Sequence, residues 1–169
     1  MPQLFQYYVE GETDAALLRA LRTEMQCIVP GKIKVFNAVE EEFTRARLIT
    51  LKHKTNVVLL FDTDTLNASI LKRNIKFLST QSMINHVYCL PQVSNLEDEL
   101  IRTCNISKIK ELLSSKTDTD FKTDFCKCND IKQALKRHDF SIHRLWTKQP
   151  LGVFSGIPND SVHIKKPRH

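Results

Sequence analysis

Apolar and polar positions along the chain follow two alternating patterns. Short, mainly apolar runs predict four β-strands, at residues 4–9, 32–36, 56–61 and 86–90. Between these runs, apolar residues recur at helical spacing, at 16–21, 39–46 and 70–78. The third run, NVVLLF, is apolar throughout, as expected for a strand covered on both faces of a parallel sheet. Strands joined by crossover helices predict an α/β fold with a mainly parallel sheet flanked by helices.

The pattern changes at about residue 95. Three later segments have helical spacing and are separated by Ser, Thr and Asp; they read LEDELIRTC, SKIKELLSS and DIKQALKRHDF. The connecting stretch SSKTDTDFKTDF is polar enough to be a mobile loop, but it is short and rich in Phe for a disordered segment. We therefore expect a single domain over residues 1–169, with an α/β core at about 4–95 and a helical, irregular elaboration at about 96–169.

The composition favours a polyanionic partner. The chain of 169 residues has a formal net charge of +6 and an isoelectric point of about 9.1, which makes nucleic acid the first candidate. No run approaches the roughly 20 apolar residues that span a bilayer. The N-terminal stretch MPQLFQYYVEG has neither the basic region nor the apolar core of a signal peptide. We therefore expect a cytoplasmic protein that does not associate with membranes.

Cysteine and glycine usage argues against two further kinds of site. Five cysteines, an odd number, suit free thiols in a reducing compartment better than a disulfide framework. Cys126 and Cys128 with the distant His138 and His143 match zinc-ligand spacing poorly, so we interpret the cysteines as core or surface thiols. The four glycines of the chain form no phosphate-binding loop. Trp146, the only tryptophan, is expected to pack in the core.

Acidic residues follow two of the predicted strands. The first strand ends in Glu10, with Asp14 at the start of the next helix, and the third ends in LLFDTDT, which holds Asp62 and Asp64. Ligands of parallel sheets bind beyond the carboxyl ends of the strands, near a switch in strand order. Residues i and i+2 of an extended chain point to the same side, so Asp62 and Asp64 are expected to converge. Clustered carboxylates select a hard cation, Mg²⁺ or Mn²⁺, which is a platform for phosphoryl transfer.

Each acid taken alone also has a structural interpretation. Thr13 or Asp14, beside a helix start, is commonly only an N-cap. Acids at solvated loop ends are also common in such folds. The combination of acids after two strands is what favours a site.

Two motifs of the chain resemble those of the Toprim domain: VEGETD at 9–14 and DTD at 62–64, in this order and each after a hydrophobic strand. Topoisomerases, bacterial primases, ribosomal-RNA maturases and OLD-family nucleases share this catalytic module. The resemblance covers about residues 4–95 and implies a Toprim-like, Rossmann-like sheet. The chain is most similar to the OLD-family type, as a Toprim protein without the ATPase domain that normally precedes the module there.

The resemblance implies a role for each core acid. Glu10 would be the general acid/base or a metal ligand, and Asp62 and Asp64 would bind the metal. Asp14 would bind a second metal, as in the nuclease branch. The implied cofactors are two Mg²⁺ or Mn²⁺ ions.

The nuclease branch also carries an acid after the fourth strand and a lysine near the C-terminus. The corresponding residues here are Glu97 and either Lys165 or Lys166, which would belong to the metal site and to catalysis respectively. Ser94-x-x-Glu97 is equally a capping box before an apolar helical stretch. The terminal basic cluster is equally a solvated phosphate-binding tail.

Basic residues flank the predicted acidic centre along the sequence. They precede the third strand, follow the DTD motif and recur in the tail, at Lys52, Lys54, Lys72, Arg73, Lys76, Arg144 and Lys148. A basic helix is most often a solvated face, but beside a metal centre these groups would hold a phosphate backbone over the metals. We therefore expect them to bind nucleic acid.

The function expected from these features is metal-dependent hydrolysis of phosphodiester bonds in DNA or RNA. By resemblance, the chain would be the effector subunit of a phage-defence or toxin-like system, with the ATPase or regulatory function on a separate chain. One alternative is a haloacid-dehalogenase-like phosphatase, in which FDTDT would make Asp62 the nucleophile and Asp64 the acid/base. Another is a non-catalytic Toprim-like module that binds nucleic acid or protein.

Overall fold

A computed structural model describes residues 2–167 and contains one four-stranded sheet. The strands are β1 (Leu4–Val9), β2 (Lys32–Val35), β3 (Thr55–Asp62) and β4 (Ile84–Gln92). All neighbouring strands are parallel, in the order β2-β1-β3-β4. The predicted parallel α/β architecture is therefore confirmed.

The strand order reverses between β1 and β3. From β1 the chain passes to β2 on one side and then to β3 on the other side, where Val9 pairs with Leu60. Loops that leave the two strands at such a point turn away from each other and open a crevice at the carboxyl ends of the strands. The residues after β1 and β3 therefore line the place where a ligand would bind.

Six helices surround the sheet, and among the described residues none is long and apolar enough to cross a membrane. They are α1 (Glu12–Arg19), α2 (Arg45–Leu48), α3 (Ser69–Ser79), α4 (Leu96–Thr103), α5 (Phe121–Lys127) and α6 (Ile131–Arg137). Alternation along β1 sends Tyr7 into one core with α1 and α4–α6, and Tyr8 into a second core with α3. The sheet is thus covered on both faces, which explains its apolar central strand.

The helix predicted over 39–46 is wrong, because residues 38–40 form a turn, residues 41–44 are not helical and α2 begins only at Arg45. The apolar residues of this stretch are nevertheless buried, since Val39 and Phe43 pack in the second core. Asn74 of α3 replaces the missing helical hydrogen bonds. Its Oδ1 accepts from Phe43 N at 2.8 Å, and its Nδ2 donates to the carbonyl oxygens of Ala38 and Glu41.

The part of the chain after α4 is ordered and packs onto the sheet. The polar stretch predicted as a mobile loop contains α5, whose Phe121 and Phe125 are fully buried. Residues predicted as a helix at 107–115 form only a 3₁₀ turn, Ile109–Leu112. Ile164 is also fully buried, and its carbonyl oxygen accepts a hydrogen bond from Val29 N. The elaboration is therefore part of the same fold as the core.

Candidate functional site

The carboxylate of Glu10 connects the carboxyl ends of β1 and β3. Glu10 directly follows β1, and its Oε2 accepts a hydrogen bond of 3.0 Å from the backbone N–H of Asp62, the last residue of β3. Both residues line a cleft of about 300 Å³ at the point where the strand order reverses. The two acids predicted to meet from neighbouring strands are thus brought together.

Asp14 stabilises the start of α1 and belongs to the cleft at the same time. Its Oδ2 accepts from Gly11 N at 2.9 Å, which satisfies a free N–H at the helix start. Its Oδ1 accepts from the side-chain amide of Gln92, also at 2.9 Å. The N-cap of α1 is Gly11, so Asp14 stabilises the helix start from the third helical position, and it also lines the cleft.

Gln92 was not predicted as a site residue, yet it joins two of the acids. It is the last residue of β4 and is fully buried. Its Nε2 donates to Asp14 Oδ1 and to Asp62 Oδ1, each at 2.9 Å. The rule that drew attention to the acids, a polar residue at the carboxyl end of an apolar strand, applies equally to Gln92. The predicted site contained only charged residues, and for that reason it did not include this neutral amide.

Glu97 and Lys122 also line the cleft. Lys122 Nζ lies 3.2 Å from Glu97 Oε1, while Glu97 Oε2 is buried and has no hydrogen-bond partner among the described residues. The capping-box interpretation of Glu97 is not borne out, because the N-cap of α4 is Asn95, whose side chain accepts from Asp98 N. Glu97 is therefore available to the cleft.

Burial and repulsion between neighbouring carboxylates raise the pKa of three acidic groups in the cleft. Burial, and then the charges of Glu10 and Asp14, raise the pKa of Asp62 to about 8. Burial is also the main cause that raises the pKa of Glu10 and of Asp14. The pKa of Lys122 is raised because Glu97, Asp62 and Asp14 together outweigh its partial burial. Without a cation the cleft relieves this repulsion by keeping protons on its carboxyl groups, and a divalent cation would take the place of those protons.

The donor atoms of the cleft fit a hard divalent cation. Across residues 2–167, no three Asp, Glu, His or Cys side chains are already gathered as a metal-binding group, so the carboxylates around the cleft would have to draw together to hold a cation. All the candidate donors are carboxylate oxygens, the ligands that Mg²⁺ and Mn²⁺ prefer. The unpartnered Oε2 of Glu97 is one such donor. Glu10, Asp14, Asp62 and Glu97 are therefore the residues that would hold a metal.

Other predicted site residues lie outside this cleft. Asp64 is exposed and does not line the cleft, but it lies close enough for its charge to raise the pKa of both Glu10 and Asp62. Lys165 Nζ donates to the carbonyl oxygen of Leu145, so this lysine packs under the C-terminal segment. The backbone N–H of Lys166 pairs with the Cys27 carbonyl oxygen. The lysine that lines the cleft is Lys122.

The predicted nucleic-acid-binding residues are dispersed. Lys52 and Lys54 precede Thr55 and lie at the amino end of β3, roughly 23 Å from Asp62 by the rise of an eight-residue strand. Arg73 forms an ion pair with Glu42 at 2.6 Å. Arg144 donates to the carbonyl oxygens of Thr103, at the end of α4, and of Asp139. The exposed lysines that remain available are Lys72, Lys76 and Lys148.

The five cysteines are free, as predicted, and Cys126 and Cys128 belong to no metal-binding group within the described chain. Cys126 is exposed, and its Sγ lies 3.6 Å from Thr13 Oγ1 at the edge of the cleft. Cys89 and Cys104 are buried. Trp146 is fully buried, which confirms its predicted place in the core.

The raised pKa of Asp62 predicts how the stability of the metal-free protein depends on pH. This carboxyl has its ordinary value of 3.8 in the unfolded chain and about 8 in the fold. Between pH 3.8 and pH 8 the unfolded chain binds fewer protons at this residue than the folded protein does. The free energy of unfolding therefore falls as the pH rises from about 4 to 8, and the loss is complete above pH 8. We expect Asp62→Asn to stabilise the protein by about 1–3 kcal/mol at pH 8.5, and by much less at pH 4. Urea unfolding in EDTA at both pH values measures this, and an equal gain at both would contradict it.

Comparison with protein-family models, with curated proteins and with solved structures finds no match to this chain.

Proposed function

We propose that this protein is a metal-dependent nuclease that hydrolyses phosphodiester bonds of DNA or RNA. One observation carries the proposal: Glu10, Asp14 and Asp62 line one cleft at the strand-order reversal, where burial and neighbouring carboxylates raise their pKa values, a cost that a bound cation would relieve. A phosphate cannot enter such a cleft unless a cation is bound there as well. The resemblance of VEGETD and DTD to the Toprim motifs supports the same function.

Each cleft residue has a separate task in this proposal. Glu10, Asp62, Asp14 and Glu97 would hold one or two Mg²⁺ or Mn²⁺ ions, which supply Lewis-acid stabilisation of the phosphate and an activated water. Burial raises the pKa of Glu10, which makes its carboxylate a stronger proton acceptor than an ordinary glutamate. Its Oε2 is held by Asp62 N, so the orientation of the carboxyl group is fixed before a substrate arrives.

Lys122 is a positive group that lines the cleft and interacts with its acids. Its ammonium group is ion-paired with Glu97 but its side chain is still 61% exposed, so it can contact a phosphate without becoming desolvated. A lysine in this position would stabilise the charge that develops on the phosphate oxygens. Lys72 and Lys76, exposed on α3, would contact the backbone of the substrate further from the cleft.

An assay with purified protein tests the proposal. Labelled plasmid, single-stranded DNA and transfer RNA are each incubated with Mg²⁺, with Mn²⁺ or with EDTA. We expect cleavage of at least one substrate with a metal ion and none with EDTA. Absence of cleavage in all metal-containing reactions, with protein shown to be folded, would refute the nuclease.

Replacement of Lys122 by methionine is expected to lower the saturated cleavage rate about 10- to 100-fold, because one charge contact to the phosphate is lost. Lys127→Met is the matched control, since Lys127 lies on the same helix, is exposed and does not line the cleft. Single-turnover kinetics separate the rate from the affinity. If the two variants reacted at the same rate, Lys122 would have no part in the reaction.

A further inference from the structure

Trp146 is held in an unusual backbone conformation by four hydrogen-bonding groups. Its φ is +53°, in the left-handed region that bulky residues rarely adopt. Its N–H donates to Glu99 Oε2 at 3.0 Å, and its carbonyl oxygen accepts from Asn159 Nδ2 and Ser161 Oγ, both at 2.9 Å. The fourth group is the side-chain amide of Gln92, whose Oε1 faces the indole N–H. Such strain persists only where the surroundings impose it, and it is frequent at functional sites.

The anchoring of Trp146 extends into the buried part of α4. Glu99 is fully buried, and besides Trp146 N it accepts from Val93 N at 3.1 Å and pairs with Arg102 at 2.8 Å. Val93 directly follows Gln92. The residues on both sides of the Gln92–Trp146 contact are therefore fixed by the same carboxylate.

The indole of Trp146 determines which way the amide of Gln92 points. Trp146 Nε1–H can only donate, so the amide atom that faces it, at 3.4 Å, is the carbonyl oxygen Oε1. The amide nitrogen must then face Asp14 and Asp62, with one N–H for each carboxylate. Every polar atom of this fully buried side chain is used, which is the arrangement that fixes a unique orientation.

We infer that Gln92 is a positioning residue for the metal ligands and that Trp146 keeps it oriented. This inference rests on the proposed function. Gln92 fixes one oxygen of Asp14 and one of Asp62, both carboxylates of the cleft, so each side chain is already oriented when a cation arrives. Groups that orient metal ligands through hydrogen bonds typically contribute about 10- to 100-fold to metal affinity.

The test compares Gln92→Met with a control, Gln133→Met. Methionine keeps the length of the side chain but cannot donate to a carboxylate, and Gln133 is exposed on α6. Mn²⁺ binding is measured from the electron paramagnetic resonance signal of the free ion. We expect the affinity of Gln92→Met for Mn²⁺ to fall about 10- to 100-fold and that of Gln133→Met to be unchanged. Gln92→Glu keeps the shape of the side chain but adds a carboxylate, and it is expected to bind no better than Gln92→Met.

The response of tryptophan fluorescence to Mg²⁺ gives a second readout, because Trp146 is the only tryptophan of the chain. A merely structural role of Gln92 would leave this response to Mg²⁺ in place. Mg²⁺ is expected to change the emission of Trp146 in the wild type and in Gln133→Met, and not in Gln92→Met. Trp146→Phe removes the indole N–H and is expected to weaken Mn²⁺ binding about 3- to 10-fold. If Gln92→Met does not fold, this variant tests the positioning role of Gln92 in its place.

Different results would overturn the two proposals. If the wild type binds Mn²⁺ and cleaves nucleic acid while Gln92→Met and Trp146→Phe bind the ion as tightly, the positioning role is refuted and the nuclease stands. If the wild type binds Mn²⁺ but cleaves nothing, the nuclease is refuted and the binding data still decide the role of Gln92. If the wild type binds no Mn²⁺, both proposals fail.

Discussion

Asp62→Asn is expected to lower the metal-dependent cleavage rate roughly 1,000-fold or more, since the metal supplies several kcal/mol of transition-state stabilisation. The amide keeps the shape of the carboxylate but has no charge with which to hold a cation. The fold is expected to persist, because the substitution removes repulsion with Glu10 and Asp14 and opens no cavity. Cleavage of the most reactive substrate, measured across Mn²⁺ concentrations, tests this prediction.

Two further substitutions make the result specific to the cleft. Asp139→Asn, at an exposed residue with positive φ that asparagine tolerates, is expected to leave the rate unchanged. Asp64→Asn tests the second acid of the DTD motif, which lies outside the cleft, and a smaller loss than at Asp62 is expected. A rate for Asp62→Asn close to that of Asp139→Asn would remove Asp62 from the proposed metal site.

The second large effect is expected on stability, when the chain is ended at Pro158. This deletion removes the fully buried Ile164, whose loss alone is expected to cost about 2–5 kcal/mol. It also removes Asn159 and Ser161, which hold the carbonyl oxygen of Trp146, at about 1 kcal/mol for each hydrogen bond. Because a typical domain is stable by only about 5–15 kcal/mol, we expect the shortened protein to be largely unfolded.

Urea unfolding followed by circular dichroism measures this loss. Lys166→Gln in the full-length chain removes a charge from the same segment but keeps Ile164, and a change of less than about 1 kcal/mol is expected. A shortened protein with native stability would show that residues 159–164 do not hold Trp146 in solution.

The sheet was predictable from the sequence because its strands are unusually apolar. Residues buried on both faces give short apolar runs, as in 56–61, and these are recognised without knowledge of their neighbours. The helix expected at 39–46 was wrong because burial alone does not distinguish a helix from a well-packed loop. In the structure, the side chain of Asn74 stabilises that loop from more than 30 positions away in the sequence.

The candidate site was predictable in part for a similar reason. Glu10 and Asp62 follow adjacent parallel strands, so a general rule brings them together. Lys122 reaches the cleft from α5, which begins in the polar stretch that was expected to be a loop. No local sequence pattern predicts its contact with Glu97, because the two residues are brought together only by packing of α5 against the rest of the fold. Lys165 was expected in the site and instead packs against Leu145. The Toprim relationship, the separate ATPase chain and the phage-defence role stay predictions.

The order of residues along the chain has a consequence for synthesis of the protein. Glu10, Asp14 and Asp62 are translated early, whereas Asn159 and Ser161, which hold Trp146 against Gln92, are translated more than 90 positions later. While the ribosome is still elongating the chain, the acids are present but the residues that orient them are not. Under the proposed function, the nascent chain is expected to leave the messenger and ribosomal RNA intact until residues 159–164 have emerged.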